Sequence, residues 1–311
     1  MSVVDSIFSD SAGSPEFQPF ALNSEKASPE HFWQLMKPGV MTLVVFSAFV
    51  GTLLAPGSMH PFLVFVSTLS IALGSGAAAV FNMWYDRDID SIMVRTKKRP
   101  LPAGLIAPDD ALTFGVLLTL VSLLLMFLST NALATGILAF SIFFYVVIYT
   151  FYLKRATAQN IVIGGAAGAF PPVIGWAAKT GDVTLFPWLL FLLVFIWTPS
   201  HFWALALYRH DDYRKAGVPM LPVTAGLDST KRQILVYSVL LLGVSLAPCF
   251  MGYLGHIYGF SAGILGACYI FLSMRLFRPE AARESMQLFG YSILYLFVLL
   301  AMMLVDKGFA S

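Results

Sequence analysis

Asn82, Asp86 and Asp90 stand at i, i+4 and i+8, where a long apolar run gives way to a charged one. That spacing puts three oxygen-bearing side chains on one face of a helix. Stacked so, they repel one another unless a cation joins them. Hard oxygen ligands suit Mg2+, which takes one or two carboxylates and completes its shell with water and phosphate oxygens. The basic run that follows, Arg95-Thr-Lys97-Lys98-Arg99-Pro-Leu-Pro, can hold the rest of a phosphate group. The two stretches together read as a site for a metal-bound diphosphate. Arg87 and Asp88 lie off the face and read as a solvated helix end.

A second polar stretch runs from His201 to Gly217. On one continuous helix, Tyr208 and Asp212 would each fall within about 20° of His201. Asp212 is therefore expected to face the site, either at the metal or through water, and Asp211 to point away. Lys215 and Arg214 are candidates for phosphate contact; they, like Arg209, can also serve only to orient the chain in a membrane. His201, two turns inside the apolar run, is a candidate catalytic group or an interhelical hydrogen-bond partner. Between the two stretches, Lys154, Gln159 and Asn160 sit at the end of an apolar span, where they can line the same polar chamber. Gly164 and Gly168 beyond them read as small residues that let helices approach closely. His31, His60 and His256 have no charged context and read as structural.

These residues must be positioned by membrane-spanning helices. The 311 residues are 58% hydrophobic and 12% charged, with a mean hydropathy of +0.78. That is too poor in charge for a soluble chain, and the apolar runs are too long for barrel strands. The fold expected is all-α, with nine spans near 38–56, 61–84, 109–128, 132–152, 160–178, 186–208, 232–254, 257–277 and 284–305. With the N-terminus inside, all but Lys179 and Lys307 of the 19 lysines and arginines fall on the cytoplasmic side. The positive-inside rule then places the N-terminus in the cytoplasm and the C-terminus outside. Residues 1–37 read as a polar cytoplasmic tail of disorder-compatible composition, followed by a transmembrane domain over 38–311. The tail resembles neither a secretory signal nor a transit peptide, which points to a bacterial inner membrane. Cys249 and Cys268 lie in apolar runs and read as small buried hydrophobes. A net charge of +2 without an aromatic–basic pattern gives no sign of nucleic-acid binding.

Three stretches carry a resemblance over essentially the whole chain from His31 on. They are Asn82-x-x-x-Asp86-x-x-x-Asp90 with its basic run, Gln159-Asn-Ile-Val-Ile-Gly-Gly-Ala-Ala-Gly-Ala-Phe-Pro-Pro172, and His201 with Asp211-Asp-Tyr-Arg-Lys-Ala-Gly-Val-Pro-Met-Leu-Pro222. With them the chain resembles the UbiA superfamily of intramembrane prenyltransferases, and within it the haem-prenylating branch. The first motif marks the superfamily; the other two point to the branch.

The resemblance implies a nine-helix bundle around a central cavity, capped by two acidic loops on the cytoplasmic side. It implies farnesyl diphosphate and haem B as substrates, haem being a substrate and not a cofactor. It further implies Mg2+ on Asn82, Asp86 and Asp90, with Asp212 contributing, and diphosphate donors among Arg95, Lys98, Arg99, Lys154 and Lys215. The expected product carries a hydroxyethylfarnesyl group, and a haem A synthase is an expected partner. One departure stands out. The superfamily's second motif is Asp-x-x-x-Asp, but the positions four before and four after Asp212 are Tyr208 and Ala216. A basic residue such as Lys215 would take over part of that work.

Rival readings are a UbiA-type enzyme acting on an aromatic acid or quinone precursor, a transporter, and a haem-carrying subunit. A transporter would place its charges near the midplane rather than at one rim. A haem-carrying subunit would need paired histidines in facing spans, and His201 has no such partner.

Overall fold

A computed structural model describes residues 27–278 and 281–310. Residues 1–26 of the expected tail lie outside the described residues. All described secondary structure is helical, in the order α1 (Pro29–Leu35), α2 (Pro38–Leu54), α3 (Pro61–Tyr85), α4 (Arg87–Ile92), α5 (Pro108–Ser129), α6 (Ala132–Phe143), a π-helical continuation (Phe144–Leu153), α7 (Lys154–Ala156), α8 (Asn160–Ala169), α9 (Pro171–Thr180), α10 (Leu185–Tyr208), α11 (His210–Lys215), α12 (Leu221–Thr224), α13 (Leu227–Phe250), α14 (His256–Arg275) and α15 (Ala282–Ala310). Eight spans are long and apolar enough to cross a membrane. The pair α1 and α2, bent by 57°, passes the same test only when taken together, so the described residues hold eight such spans, or nine with this pair counted as one broken span. Phe65, Leu120, Phe260 and Phe271 stand well exposed on the outside, as a lipid-facing belt requires. The chain is a multi-pass membrane protein.

The helix starts follow local chemistry. Pro38, Pro61, Pro108 and Pro171 occupy first turns, where a missing N–H costs nothing. The Asn131 carboxamide accepts from Ala134 N at 2.9 Å to cap α6, and His60 caps α3 through Phe62 N. The last part of the expected tail is structured: α1 buries Leu35, and Met36 after it, in a cluster with Val80 and Met83 of α3.

The spans form a ring. α2 packs on α3, α3 on α5, α5 on α6, and the π-helical continuation on α8. α8 packs on α10, then α10, α13, α14 and α15 follow in turn, and α15 returns to α2. α9 fills the interior at one end, with Pro171 through Ala178 all buried. It crosses α2 at backbone contact. A Cβ on Gly51 would strike the Pro172 carbonyl, and one on Gly175 would strike that of Ala48. The Thr52 hydroxyl donates to Gly175 O across the same crossing at 3.0 Å.

At that end, the two lysines expected outside are both held on α2. Lys179 Nζ donates to Ala55 O at 2.9 Å, and Lys307 Nζ to Leu54 O. These are the carbonyls a helix C-terminus leaves unpaired, and a cation there also suits the helix dipole. Asp306 next to Lys307 accepts from Gly255 N and Tyr258 N at the start of α14. The acidic face lies at the opposite end.

Candidate active site

α3 ends at Tyr85 and α4 begins at Arg87, yet the i→i+4 ladder runs through the joint. Asp86 N donates to Asn82 O at 3.0 Å and Asp90 N to Asp86 O at 2.8 Å. Asn82, Asp86 and Asp90 therefore keep the common face that their spacing predicts, and all three are buried.

The structure shows what neutralises this face. Lys154 bonds Asp86 Oδ2, and Arg155 stands 3.5 Å from Asp86 Oδ1. Arg99 Nη1 bonds Asp90 Oδ2 at 2.7 Å. Lys37 Nζ donates to Asn82 Oδ1 at 2.6 Å, while Asn82 Nδ2 donates to Asp86 Oδ2 at 2.7 Å and to Thr150 Oγ1 at 3.2 Å. Arg155 also grips Asp88 at 2.7 Å. Burial is the largest single influence on the Asp88 carboxyl and would raise it, but the Arg155 bond and charge together with backbone N–H donors hold the group below its ordinary value.

Lys37 is a residue that the sequence reading counted only as a topogenic charge. It sits at φ 54°, the one positive φ among the described non-glycine residues. A side chain held in the left-handed region costs about 1 kcal/mol or more. Here that backbone aims an ammonium into the acid cluster. Lys37, Tyr145 and Tyr149 are half-buried beside this face. Both tyrosines lie close enough to Asp86 to feel its charge. Tyr149 can lie flat there because its ring rests on Gly164, where a Cβ would strike it. So Gly164 does serve close approach, but Gly168 faces open space and does not.

The second stretch arrives differently from expectation. A joint at Arg209 (φ −109°, ψ 20°) divides α10 from α11, with Arg209 N on Leu205 O and Tyr213 N on Arg209 O across it, and the residues of the expected face part company: His201 is buried in the bundle while Tyr208 is exposed. Tyr213, Val218 and Met220 instead pack on Ile89 and Met93 of the first loop. Burial pushes the Tyr213 phenol up, while Arg95, which hydrogen-bonds it, and Arg99 pull it back. Asp211 is exposed, paired with His210 at 3.1 Å. Asp212 turns inward: its Oδ2 is buried without a hydrogen bond, and Arg209 is 3.9 Å away. Lys98 and Lys215, in the first and second loops, are exposed. Asn160 is fully buried and donates to Thr157 O and Lys154 O, bracing the turn that carries Lys154.

His201 keeps company elsewhere. Its ring is stacked between Trp197 at 4.3 Å and Phe289 at 4.6 Å, and Nδ1 meets the Ser292 hydroxyl at 2.5 Å. These contacts tie α10 to α15 and involve none of the acids. Trp203 is likewise a core residue, fully buried against Tyr237. An apolar groove of about 290 Å³ lined by Phe81, Leu120 and Val146 is a surface feature of α3, α5 and the α6 span.

The donor set fits Mg2+. Two carboxylates and an amide oxygen share one buried face, the hard-oxygen donors that Mg2+ takes, while the orphaned carboxylate oxygen of Asp212 lies in the second loop and no cluster of three or more His, Cys, Asp or Glu stands close enough to hold a metal among the described residues. Around Asp86, Asp88 and Asp90 stand Lys37, Arg99, Lys154 and Arg155, so bases outnumber acids. A face with surplus positive charge suits a cation only when it arrives with a polyanion. A ring of membrane helices around such a face is the architecture of an intramembrane enzyme for diphosphate esters.

Comparison with known proteins agrees. Residues 44–301 match the UbiA prenyltransferase family, and the chain belongs to it. A protein of Parvibaculum lavamentivorans named protoheme IX farnesyltransferase is 52% identical over 284 residues, covering 90% of this chain and 89% of that one. One of the same name from Rhizobium leguminosarum is 51% identical, covering 91% and 90%. Among solved structures, a digeranylgeranylglyceryl phosphate synthase aligns with a TM-score of 0.73 at 18% identity, over 89% of this chain and 97% of that one. A UbiA homologue of Archaeoglobus fulgidus bound to GPP and Mg2+ aligns at 0.67 and 16%, over 87% and 99%. At such identities these two structures speak for the fold.

Proposed function

We propose that this chain transfers the farnesyl group of farnesyl diphosphate to the 2-vinyl group of haem B, with addition of water, giving haem O. The observation that carries the reading is the buried face of Asn82, Asp86 and Asp90 ringed by Lys37, Arg99 and Lys154 at one end of the ring of membrane helices. Relatives about half identical over nine-tenths of the chain support the acceptor.

Asn82, Asp86 and Asp90 are the residues that would hold Mg2+, with Asp212 of the second loop contributing. When bound, the ion supplies neutralisation of the charge that builds on the departing diphosphate. Lys37, Arg99 and Lys154 hold the same group by charge-assisted hydrogen bonds. The allylic C1–O bond breaks and its electron pair leaves on the diphosphate. Tyr145 and Tyr149 present π faces to the cationic carbon and keep bulk water from it. The vinyl group attacks C1, and the resulting cation beside the porphyrin takes up water and releases a proton. The isoprenoid tail lies in the apolar interior. By the positive-inside rule the charged end faces the cytoplasm of a bacterial inner membrane, with the C-terminus outside. The product suits a haem A synthase as the next enzyme.

The test uses detergent-solubilised protein with haem B, farnesyl diphosphate and Mg2+, with and without chelator. The expected result is a metal-dependent product heavier than haem B by one farnesyl group and one hydroxyl. Prenylation of a hydroxybenzoate instead of haem would overturn the acceptor assignment.

Lys37→Met should raise KM for farnesyl diphosphate about tenfold, the cost of one charge-assisted hydrogen bond of roughly 1.5 kcal/mol. Lys37→Gly should raise it equally while leaving thermal stability intact, because glycine accepts φ 54° without strain. Unchanged Michaelis curves for both would remove Lys37 from the site.

A further inference from the structure

The α6 span changes hydrogen-bonding pattern before it reaches the site. From Phe144 to Leu153 it is a π-helix, ending with Lys154 N bonded to Tyr149 O. In an α-helix, nine residues from Tyr145 to Lys154 turn through about 900°, leaving the two on opposite sides. Bonding at i→i+5 instead stacks residue i beneath i+4 and i+5. Tyr145, Tyr149, Thr150 and Lys154 thereby face the acids together.

Within that register, Thr150 has an unusual bond. Its hydroxyl donates to Tyr145 O, five residues back, at 2.8 Å. In an α-helix a threonine would reach back three or four. A hydroxyl has a single proton, so Thr150 can meet Asn82 only as an acceptor. It does so, taking Asn82 Nδ2 at 3.2 Å, and it is completely buried. The Asn82 amide is thus read at both ends: Nδ2 faces Asp86 and Thr150, while Oδ1 faces Lys37. A flipped amide would set its oxygen against an oxygen already out of protons. Asp86 is a poor sole guardian of this orientation, since its carboxylate is also the group a cation would draw away. Thr150 has no such second duty.

We propose that Thr150 is a positioning residue that holds the Asn82 amide with Oδ1 toward the metal and diphosphate, and that the π-helical turn is what commits its hydroxyl to that task. The inference rests on Asn82 being an oxygen donor to the cation, and the test separates the two.

The readout is Mn2+ binding to the detergent-solubilised protein with inorganic diphosphate, followed by electron paramagnetic resonance without turnover. Thr150→Val should weaken binding about tenfold or more, the range for losing a group that orients a ligand. Thr150→Ser should restore it. In the Asn82→Asp background, Thr150→Val should cost nothing further, because a carboxylate presents an oxygen either way round. Thermal melts accompany each variant. Should Thr150→Val fail to fold, the comparison of Asn82→Asp with Asn82→Asp/Thr150→Ser and of wild type with Thr150→Cys, a weak hydrogen bonder of similar size, carries the test. Equal affinity in wild type and Thr150→Val, or an equal loss in the Asn82→Asp background, would overturn the proposal. The same holds for Thr150→Cys against wild type if that arm is needed. Unchanged affinity in Asn82→Ala would instead remove Asn82 as a ligand and leave Thr150 without this role.

Discussion

Asp86→Asn should cut farnesyl transfer by about 10²–10³ while the protein still folds, an effect the size of removing one preorganised electrostatic group from a transition state. Asp86 is fully buried and gathers more partners than any other acid of the site: Asn82, Lys154 and Arg155 all reach it. Replacing it with the neutral isostere leaves the Lys154 ammonium enclosed without its counter-ion. Breaking a buried pair from one side costs roughly 3–5 kcal/mol, so some stability should be lost as well. The double variant Asp86→Asn/Lys154→Met removes both charges and should melt higher than the single one, yet remain inactive. That split separates folding from chemistry. Turnover measured by product mass, set beside a thermal melt in the same detergent, decides it. Retention of more than about a tenth of wild-type turnover in Asp86→Asn would take the acid out of the mechanism.

Gly175→Ala should destabilise the bundle by about 3 kcal/mol, at the upper end for overpacking a core, because the added methyl meets a carbonyl and not a mobile side chain. Gly51→Ala presses on the same crossing from the other side and should cost as much. Neither position touches the acids, so activity per folded molecule should hold at low temperature and vanish sooner on heating. The survival of activity after graded heating in detergent measures this. A Gly175→Ala protein as heat-resistant as wild type would show that α2 and α9 can part without loss.

The acid face was legible in the sequence because its information is local: four-residue spacing survives the α3–α4 joint. Lys154 was legible too, as a base at the end of an apolar span. Lys37 was not, since it meets Asn82 across 45 residues and alone reads as a charge that orients the membrane. Tyr145, Tyr149 and Thr150 were hidden for another reason. They lie inside an apolar run where α-helical periodicity is the natural ruler, and the chain there follows a different one. The same ruler set His201 and Tyr208 on one face, but His201 is buried in the bundle and Tyr208 is exposed. His201 looked functional for lying beneath a charged loop, but only the fold could show it turned toward Ser292 and α15. Lys98 and Lys215 have the right chemistry in the right loops, and exposure takes them away from it.

The closing of the ring has a consequence for how the protein is made. Lys307 holds Leu54 O across 253 residues of chain, and α15 completes the wall beside α2. Synthesis proceeds from the N-terminus, and contacts this distant in sequence form late. The first span must therefore wait in the bilayer, its inner face against lipid, until the last has been inserted. Until then the interior beside α2 lies open to lipid, without the wall that α15 supplies. A chain halted before α15 would own every residue of the acid cluster and still lack part of the protein wall that encloses the apolar end of a bound isoprenoid.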